Sequence, residues 1–167
     1  MRNLKFTLKA WPVIAIATIG LCFLTELVAG WFGVKLTEQN NIELVRRAIG
    51  WNLTFALLVV QIVLLMPAIE EVIFRWLLFK LPAKWLNNLT MAIISSAVFS
   101  FAHYPDYMNV APGPFRPLDN AFFALFFFGL AQTYLYHKTN RLWCTILNHA
   151  LFNTTNLILL FIIPAQP

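Results

Sequence analysis

Long apolar runs separated by short polar or proline-rich linkers dominate the sequence. Five runs are long enough to cross a bilayer, at about residues 11–34, 51–81, 86–104, 118–137 and 142–163. A helical span needs roughly 20 mainly apolar residues, because lipid offers no partner to free backbone groups. Pro67, inside the second run, breaks or kinks a continuing helix. The pattern predicts an all-α polytopic transmembrane bundle of about five spans with a Pro-broken motif helix.

Composition and charge strengthen this prediction. The chain of 167 residues is 60% hydrophobic and 11% charged, whereas soluble domains are about 25% charged. The net charge of +5 does not indicate nucleic-acid binding, because the basic residues are scattered at the ends of apolar runs. Cys22 and Cys144 lie within apolar runs and are interpreted as small hydrophobic residues. The linker 35–50 could hold an interfacial helix, and the linker 105–119 has too many prolines for regular structure.

The balance of basic residues predicts an orientation. With the N-terminus inside, the inner set of seven exceeds the outer set of four, which favours this orientation. The inner set is Arg2, Lys5, Lys9, Lys80, Lys84, Lys138 and Arg141, and the outer set is Lys35, Arg46, Arg47 and Arg116.

A few ionisable side chains interrupt the apolar runs. Such groups cost at least about 2.5 to 3.5 kcal/mol each at mid-span, so they usually face a protein or water interior and mark function. They are Glu26, Glu70, Glu71, Arg75, His103 and His149.

Spacing separates the two adjacent glutamates. Glu71 and Arg75 are four residues apart with the acid first, the favourable order for a helical ion pair. Glu70 lies about 100° around the helix and is left without a local partner. An unpaired carboxyl at this depth is a plausible general base.

Helix geometry predicts the neighbours of Glu70. Counting from the turn at 81–88 with 1.5 Å per residue, the heights of Glu70 and His103 differ by only about 5 Å. Counting from the turn at 138–140, His149 lies somewhat below them and Asn153 reaches their level. Four polar side chains from three helices therefore converge.

Three short motifs match the motif pattern of a known family. "EEVIFR" (70–75), "FSFAH" (99–103) and "HALFN" (149–153) match EExxxR, FxxxH and HxxxN in this order. The chain resembles the CPBP family of intramembrane proteases, which includes the eukaryotic type II CAAX prenyl endopeptidase and bacterial Abi proteins. The similarity covers roughly residues 58–157, between an N-terminal span with its connector (1–57) and a tail (158–167).

The resemblance implies a role for each motif residue. Glu70 and His103 would hold and activate a water, with Glu70 as general base, and His149 and Asn153 would donate to the oxyanion of the tetrahedral intermediate. Glu71 and Arg75 would form the structural ion pair. Both roles are physically reasonable. A glutamate beside a histidine can act as a general base, and hydrogen-bond donors in a dry cavity stabilise developing negative charge.

A metal-dependent reading competes with this one. Glu70 or Glu71 with His103 and His149 would form a one-carboxylate, two-histidine set of a kind that zinc uses in hydrolases. The HExxH spacing is missing, and the ligands would come from three helices. A site without a cofactor is favoured, and zinc is the alternative.

The predicted function is an intramembrane endopeptidase in a prokaryotic plasma membrane. Its partners would be membrane lipids and a peptide or membrane-protein substrate, possibly lipidated, with no nucleic acid. The eukaryotic endopeptidase has more spans, so a shared substrate does not follow. The alternatives are a non-catalytic bacteriocin-immunity protein on the same scaffold and a small proton-coupled transporter, which the missing inverted repeat disfavours.

Overall fold

The computed structural model describes residues 1–33, 45, 49–50, 52–103 and 122–162. Within these ranges the chain is helical and contains no strand, as predicted. Five long helices follow one another: α1 (Arg2–Trp31), α2 (Leu53–Lys84), α3 (Asn88–Ala102), α4 (Phe122–Thr139) and α5 (Leu142–Ile162). The predicted connector helix in 35–50, the proline-rich linker, and Lys35, Arg46, Arg47 and Arg116 lie outside the described residues.

Three of the five helices are long and apolar enough to cross a membrane by themselves. These are α1, α2 and α5, while α3 is a shorter apolar helix of 15 residues. Large apolar side chains such as Ile16, Leu57 and Leu89 are exposed on the outside of the bundle. The buried positions include many polar side chains, so apolar groups face outward and polar groups face inward. This distribution belongs to an integral membrane protein.

Helix α2 switches from α-helical to π-helical winding twice, before and within the predicted motif. It is α-helical over Leu53–Val60 and Met66–Glu71 and π-helical over Gln61–Leu65 and Val72–Lys80, and it ends in a 3₁₀ turn at Pro82–Lys84. Single π-turns inside helices are often found at functional sites. The helix starts at the N-cap Asn52, whose side chain accepts from the Phe55 amide at 2.8 Å.

An aromatic cluster fills the centre of the bundle. Phe74 of α2, Phe99 of α3, Phe128 of α4 and Phe152 of α5 meet there, together with Ile14 and Ala15 of α1. The Phe74 and Phe99 rings pack edge to face with centroids 5.1 Å apart, which is a favourable aromatic geometry. The motif residues lie on three of the helices that this cluster holds in place.

A glycine allows α3 and α4 to approach closely. A Cβ added to Gly129 would lie 3.0 Å from Cβ and 3.1 Å from Cα of Ser96. Small residues let helix backbones come close where lipid provides no hydrophobic drive for association. The Gly129 carbonyl also accepts from the Thr133 hydroxyl at 2.9 Å, which positions a contact of Arg75.

Candidate functional site

Glu70 lies between two imidazole rings inside the bundle. Its Oε1 is 3.8 Å from Nε2 of His103, and its Oε2 is 3.6 Å from Nε2 of His149. The Glu70 side chain is 15% exposed and that of His103 is 23% exposed. Both distances are slightly longer than a direct hydrogen bond, and a polar separation of this size suits a water that contacts both groups. The three groups therefore form a small polar site with an opening to the outside.

The end of α3 fixes the orientation of His103. Its Nδ1 lies 2.8 Å from the carbonyl oxygen of Phe99, one turn earlier. A carbonyl only accepts, so Nδ1 carries the hydrogen. In the neutral ring Nε2 is then an acceptor, and it faces Glu70. The Phe99 ring packs against this imidazole with centroids 4.5 Å apart, which limits its rotation.

Glu71 connects the motif helix to α5. Its Oε2 lies 3.0 Å from Nε of Arg75, and its Oε1 lies 3.0 Å from Nδ1 of His149. Glu71 and Arg75 are fully buried, and the His149 side chain is 4% exposed. The ionised carboxylate only accepts, so His149 donates from Nδ1 and turns Nε2 toward Glu70. The two adjacent glutamates thus face opposite nitrogens of one ring.

Arg75 is held by partners from two further helices. Its Nη1 lies 3.3 Å from the Ser95 hydroxyl of α3 and 3.3 Å from the Thr133 hydroxyl of α4. Its guanidinium carbon is 5.3 Å from the centroid of the Phe99 ring, a cation–π contact. Arg75 therefore joins α2, α3 and α4 behind the site.

Sequence reasoning missed three of these contacts. Helical spacing predicts only the Glu71–Arg75 pair, because it shows contacts within a helix and none between helices. The contacts of Glu71 with His149 and of Arg75 with Ser95 and Thr133 join residues 20 to 78 positions apart. No local spacing signals them, although small hydroxyl residues on apolar helices are a general sign of contacts between helices.

Asn153 lies one turn beyond His149 and contacts the backbone of α2. Its Nδ2 donates to the carbonyl oxygen of Ile62 at 2.9 Å. In the preceding π-turn, the Met66 amide donates to the Gln61 carbonyl, five residues earlier. In the same pattern, the Ile62 carbonyl would accept from the amide of residue 67. Pro67 has no N–H, and it leaves the Ile62 carbonyl for Asn153. The Asn153 amide carries a second hydrogen that this bond does not use.

This contact predicts a dependence between Asn153 and Pro67. We expect Asn153→Ala to lower the free energy of unfolding by about 1 to 3 kcal/mol, because the Ile62 carbonyl loses its partner. In a Pro67→Ala background the same change should cost clearly less, because an alanine at this position restores an N–H in register with Ile62. Unfolding of the four proteins of this cycle, followed by circular dichroism during denaturant titration in detergent, measures the coupling. Equal costs in both backgrounds would contradict the proposed link.

The described residues also bear on metal binding. Among them no three or more His, Cys, Asp and Glu side chains form a group with the arrangement of a metal site. Nδ1 of His149 is engaged by Glu71, and Nδ1 of His103 is engaged by a backbone carbonyl. Of the predicted zinc ligands, only the Nε2 atoms of the two histidines and the Glu70 carboxylate remain available to a metal ion.

Comparison with known proteins identifies the family. No curated protein and no solved structure matches the chain. Residues 51–155 match the family described as Type II CAAX prenyl endopeptidase Rce1-like. This range holds α2 to α5 almost completely, with Glu70, Glu71, Arg75, His103, His149 and Asn153, and covers more than half of the chain. The chain therefore belongs to the Rce1-like family of type II CAAX prenyl endopeptidases.

Proposed function

We propose that this protein is an intramembrane endopeptidase that hydrolyses a peptide bond with a water activated by Glu70 and His103. One observation carries the proposal: a carboxylate lies 3.6 to 3.8 Å from two imidazole nitrogens inside a bundle of apolar membrane helices. Family membership adds the reaction class, since the matching family is one of endopeptidases.

The hydrogen-bond roles of the site explain how a water would be activated. Glu70 Oε1 and His103 Nε2 are both acceptors when His103 is neutral, so one water can donate one hydrogen to each. Its oxygen lone pairs then point away from both groups and toward a substrate carbonyl. As the oxygen attacks the carbonyl carbon, Glu70 takes a proton, and it later returns that proton to the nitrogen of the leaving amine.

His149 and Asn153 supply donors for the oxyanion that forms on the carbonyl oxygen. Glu71 accepts from Nδ1 of His149 and so holds the ring with Nε2 free to carry a second hydrogen. Such a ring presents Nε2–H toward the Glu70 side of the site. The second amide hydrogen of Asn153 is the other donor. Two such donors, in a site of low dielectric, would stabilise the developing charge strongly.

The substrate class follows from the setting of the site. A site between membrane helices accepts a peptide segment that reaches it from the bilayer or its surface. The proposed substrate is thus a peptide or membrane protein, and the family description adds a prenylated C-terminus as one candidate.

The proposal is tested by product formation in reconstituted vesicles. We expect the purified protein in proteoliposomes to cleave at least one of three peptide types, each followed by mass spectrometry: prenylated CAAX peptides, the same peptides without the lipid, and single-span membrane peptides. His103→Ala should lower the rate of product formation by a factor of about 10² to 10⁴. A transporter would instead move protons, measured with a pH-sensitive dye inside the vesicles, and yield no product. An immunity protein that acts by binding would do neither.

The proposed reaction uses no metal. Zinc content and the effect of a chelator test this metal independence. We expect the active preparation to contain zinc well below one ion per chain and to keep its cleavage rate after dialysis against a chelator. One zinc per chain, with activity lost on chelation and restored by added zinc, would replace the proposed water activation by the zinc alternative.

A further inference from the structure

A basic groove lies at the end of the bundle away from Glu70. It has a volume of about 290 Å³ and opens between the end of α2, the start of α3 and the end of α4. The side chains that bear on its chemistry are Lys80, Lys84, Asn88, Tyr136, His137 and Asn140. The groove therefore offers several hydrogen-bond donors, two of them lysine ammonium groups.

The two lysines have no acidic partner in the described part of the chain. Nζ of Lys80 donates to the Asn140 side-chain oxygen at 3.3 Å and lies 5.7 Å from the centroid of the Tyr136 ring. These contacts fix the position of the ammonium group and leave its charge uncompensated. The carboxylates of the described residues are Glu26, Glu70 and Glu71, none of which lines the groove.

Other basic residues cluster at the same end of the bundle. Nδ2 of Asn148 lies 3.4 Å from the Thr7 carbonyl oxygen, so the first turns of α1 and α5 are level. The bond from Lys80 to Asn140 brings the end of α2 to the turn before α5. The residues that share this end are Arg2, Lys5, Lys80, Lys84, Lys138 and Arg141. All of them belong to the predicted inner set.

With Glu70 near the middle of the bilayer, the groove lies at the depth of the lipid headgroups. Lys80 is ten residues beyond Glu70, at most about 15 Å along the helix. Half of the hydrocarbon thickness is also about 15 Å. Trp85, beside Lys84, is 80% exposed, as expected of a tryptophan that anchors a helix end at the interface. Next to the groove, Leu89 of α3 is 71% exposed and offers an apolar surface for an acyl chain.

We propose that this groove binds the phosphate of an anionic phospholipid headgroup. Phosphate oxygens accept hydrogen bonds from lysine, asparagine and histidine side chains. The two lysine ammonium groups, which have no acidic partner among the described residues, balance the negative charge. A volume of about 290 Å³ holds a phosphoglycerol headgroup, while the acyl chains remain along the apolar outer surface. Basic pockets between membrane helices bind such headgroups in other proteins. Because the site is separate from Glu70, the proposal stands independently of the peptidase function.

Lipid titration with charge-matched variants tests the proposal. The probe is dioleoylphosphatidylglycerol, added to the full chain in detergent, with bound lipid counted by native mass spectrometry and dioleoylphosphatidylcholine as reference. We expect Lys80→Gln with Lys84→Gln to raise the Kd for the anionic lipid about 30-fold, because each basic side chain contributes about a factor of five. The control pair Lys138→Gln with Arg141→Gln removes the same charge at the same end outside the groove, and should change the Kd less than about threefold.

Three results would overturn the proposal. Equal losses in the two variant pairs would show only general attraction to a basic surface. Equal binding of the zwitterionic lipid by the wild-type protein would show that the phosphate charge is not recognised. Inorganic phosphate that displaces the lipid at equal concentration would assign the site to a free anion. Lys80→Arg with Lys84→Arg keeps both charges and should keep the affinity, which separates loss of charge from loss of fold.

Discussion

Glu70→Gln is expected to lower the rate of peptide cleavage by a factor of about 10² to 10⁴, because the amide cannot take the proton of the attacking water. The fold should survive this change. The Glu70 carboxylate is 15% exposed, and its nearest recorded partners are imidazole nitrogens at 3.6 and 3.8 Å. Exchange for a polar group of nearly equal shape should therefore lower the free energy of unfolding by only about 1 kcal/mol. Cleavage assays in proteoliposomes and denaturant titrations measure the two effects separately.

A second glutamate in the membrane provides a matched control for Glu70→Gln. Glu26 lies on α1 with an exposed side chain, apart from the three helices that carry the motifs. Glu26→Gln removes the same charge from a membrane-spanning helix and should leave the cleavage rate unchanged. If Glu70→Gln cleaves as fast as the wild-type protein, the proposed base is wrong. If both variants lose activity equally, the loss reflects membrane charge and says nothing about the site.

The sequence predicted the helices because each apolar run is bounded by polar or proline-rich residues. Helix α5 was expected over about 142–163 and is observed at Leu142–Ile162. The winding of α2 was only partly foreseen. Pro67 predicted a break or a kink, whereas the helix continues from Leu53 to Lys84 with π-turns before and after the segment that holds Pro67. Asn153 is the partner of the freed Ile62 carbonyl. The missing N–H of a proline is visible in a sequence. The side chain that replaces it as donor comes from another helix, and local sequence does not identify it.

Counting residues along helices placed the site approximately. A constant rise of 1.5 Å per residue put His149 below Glu70 and Asn153 at its level. In the structure, Nε2 of His149 lies 3.6 Å from Glu70, and Asn153 reaches Ile62, eight residues earlier in α2. The count ignores helix tilt, the length of side chains and the altered rise of π-turns. It therefore gives the level of a residue, and packing decides which atoms meet.

The same limit explains why Glu71 has a larger role than the sequence predicted. Spacing within α2 identified Arg75 as its partner, yet one carboxylate has two oxygens, and the second accepts from His149. Glu71 thus links the ion pair behind the site to a ring that faces Glu70. We expect charge at Glu71 to affect both the fold and the orientation of His149, and charge at Glu70 to affect mainly the proposed chemistry. The two adjacent glutamates should therefore respond differently to mutation.

Arg75→Met is the change with the largest expected effect on stability. Glu71 and Arg75 are fully buried, and removal of one partner of a buried ion pair leaves an uncompensated charge. We expect the free energy of unfolding to fall by about 3 to 5 kcal/mol. The hydroxyls that contact Arg75 lose little, because Ser95 also donates to the Phe74 carbonyl and Thr133 to the Gly129 carbonyl. Most of the cost should therefore come from Glu71, and denaturant titration in detergent measures it.

A double variant tests whether the unpaired charge causes this loss. Glu71→Gln with Arg75→Met removes both charges, and the side-chain oxygen of the introduced glutamine still accepts from Nδ1 of His149. Since a buried ion pair exchanged for neutral groups is often nearly neutral in stability, the double variant should be more stable than Arg75→Met alone. A double variant that is no more stable than Arg75→Met would show that the unpaired charge on Glu71 does not cause the loss. That result would contradict an electrostatic role, because packing is lost equally in both variants and only the charge on Glu71 differs between them.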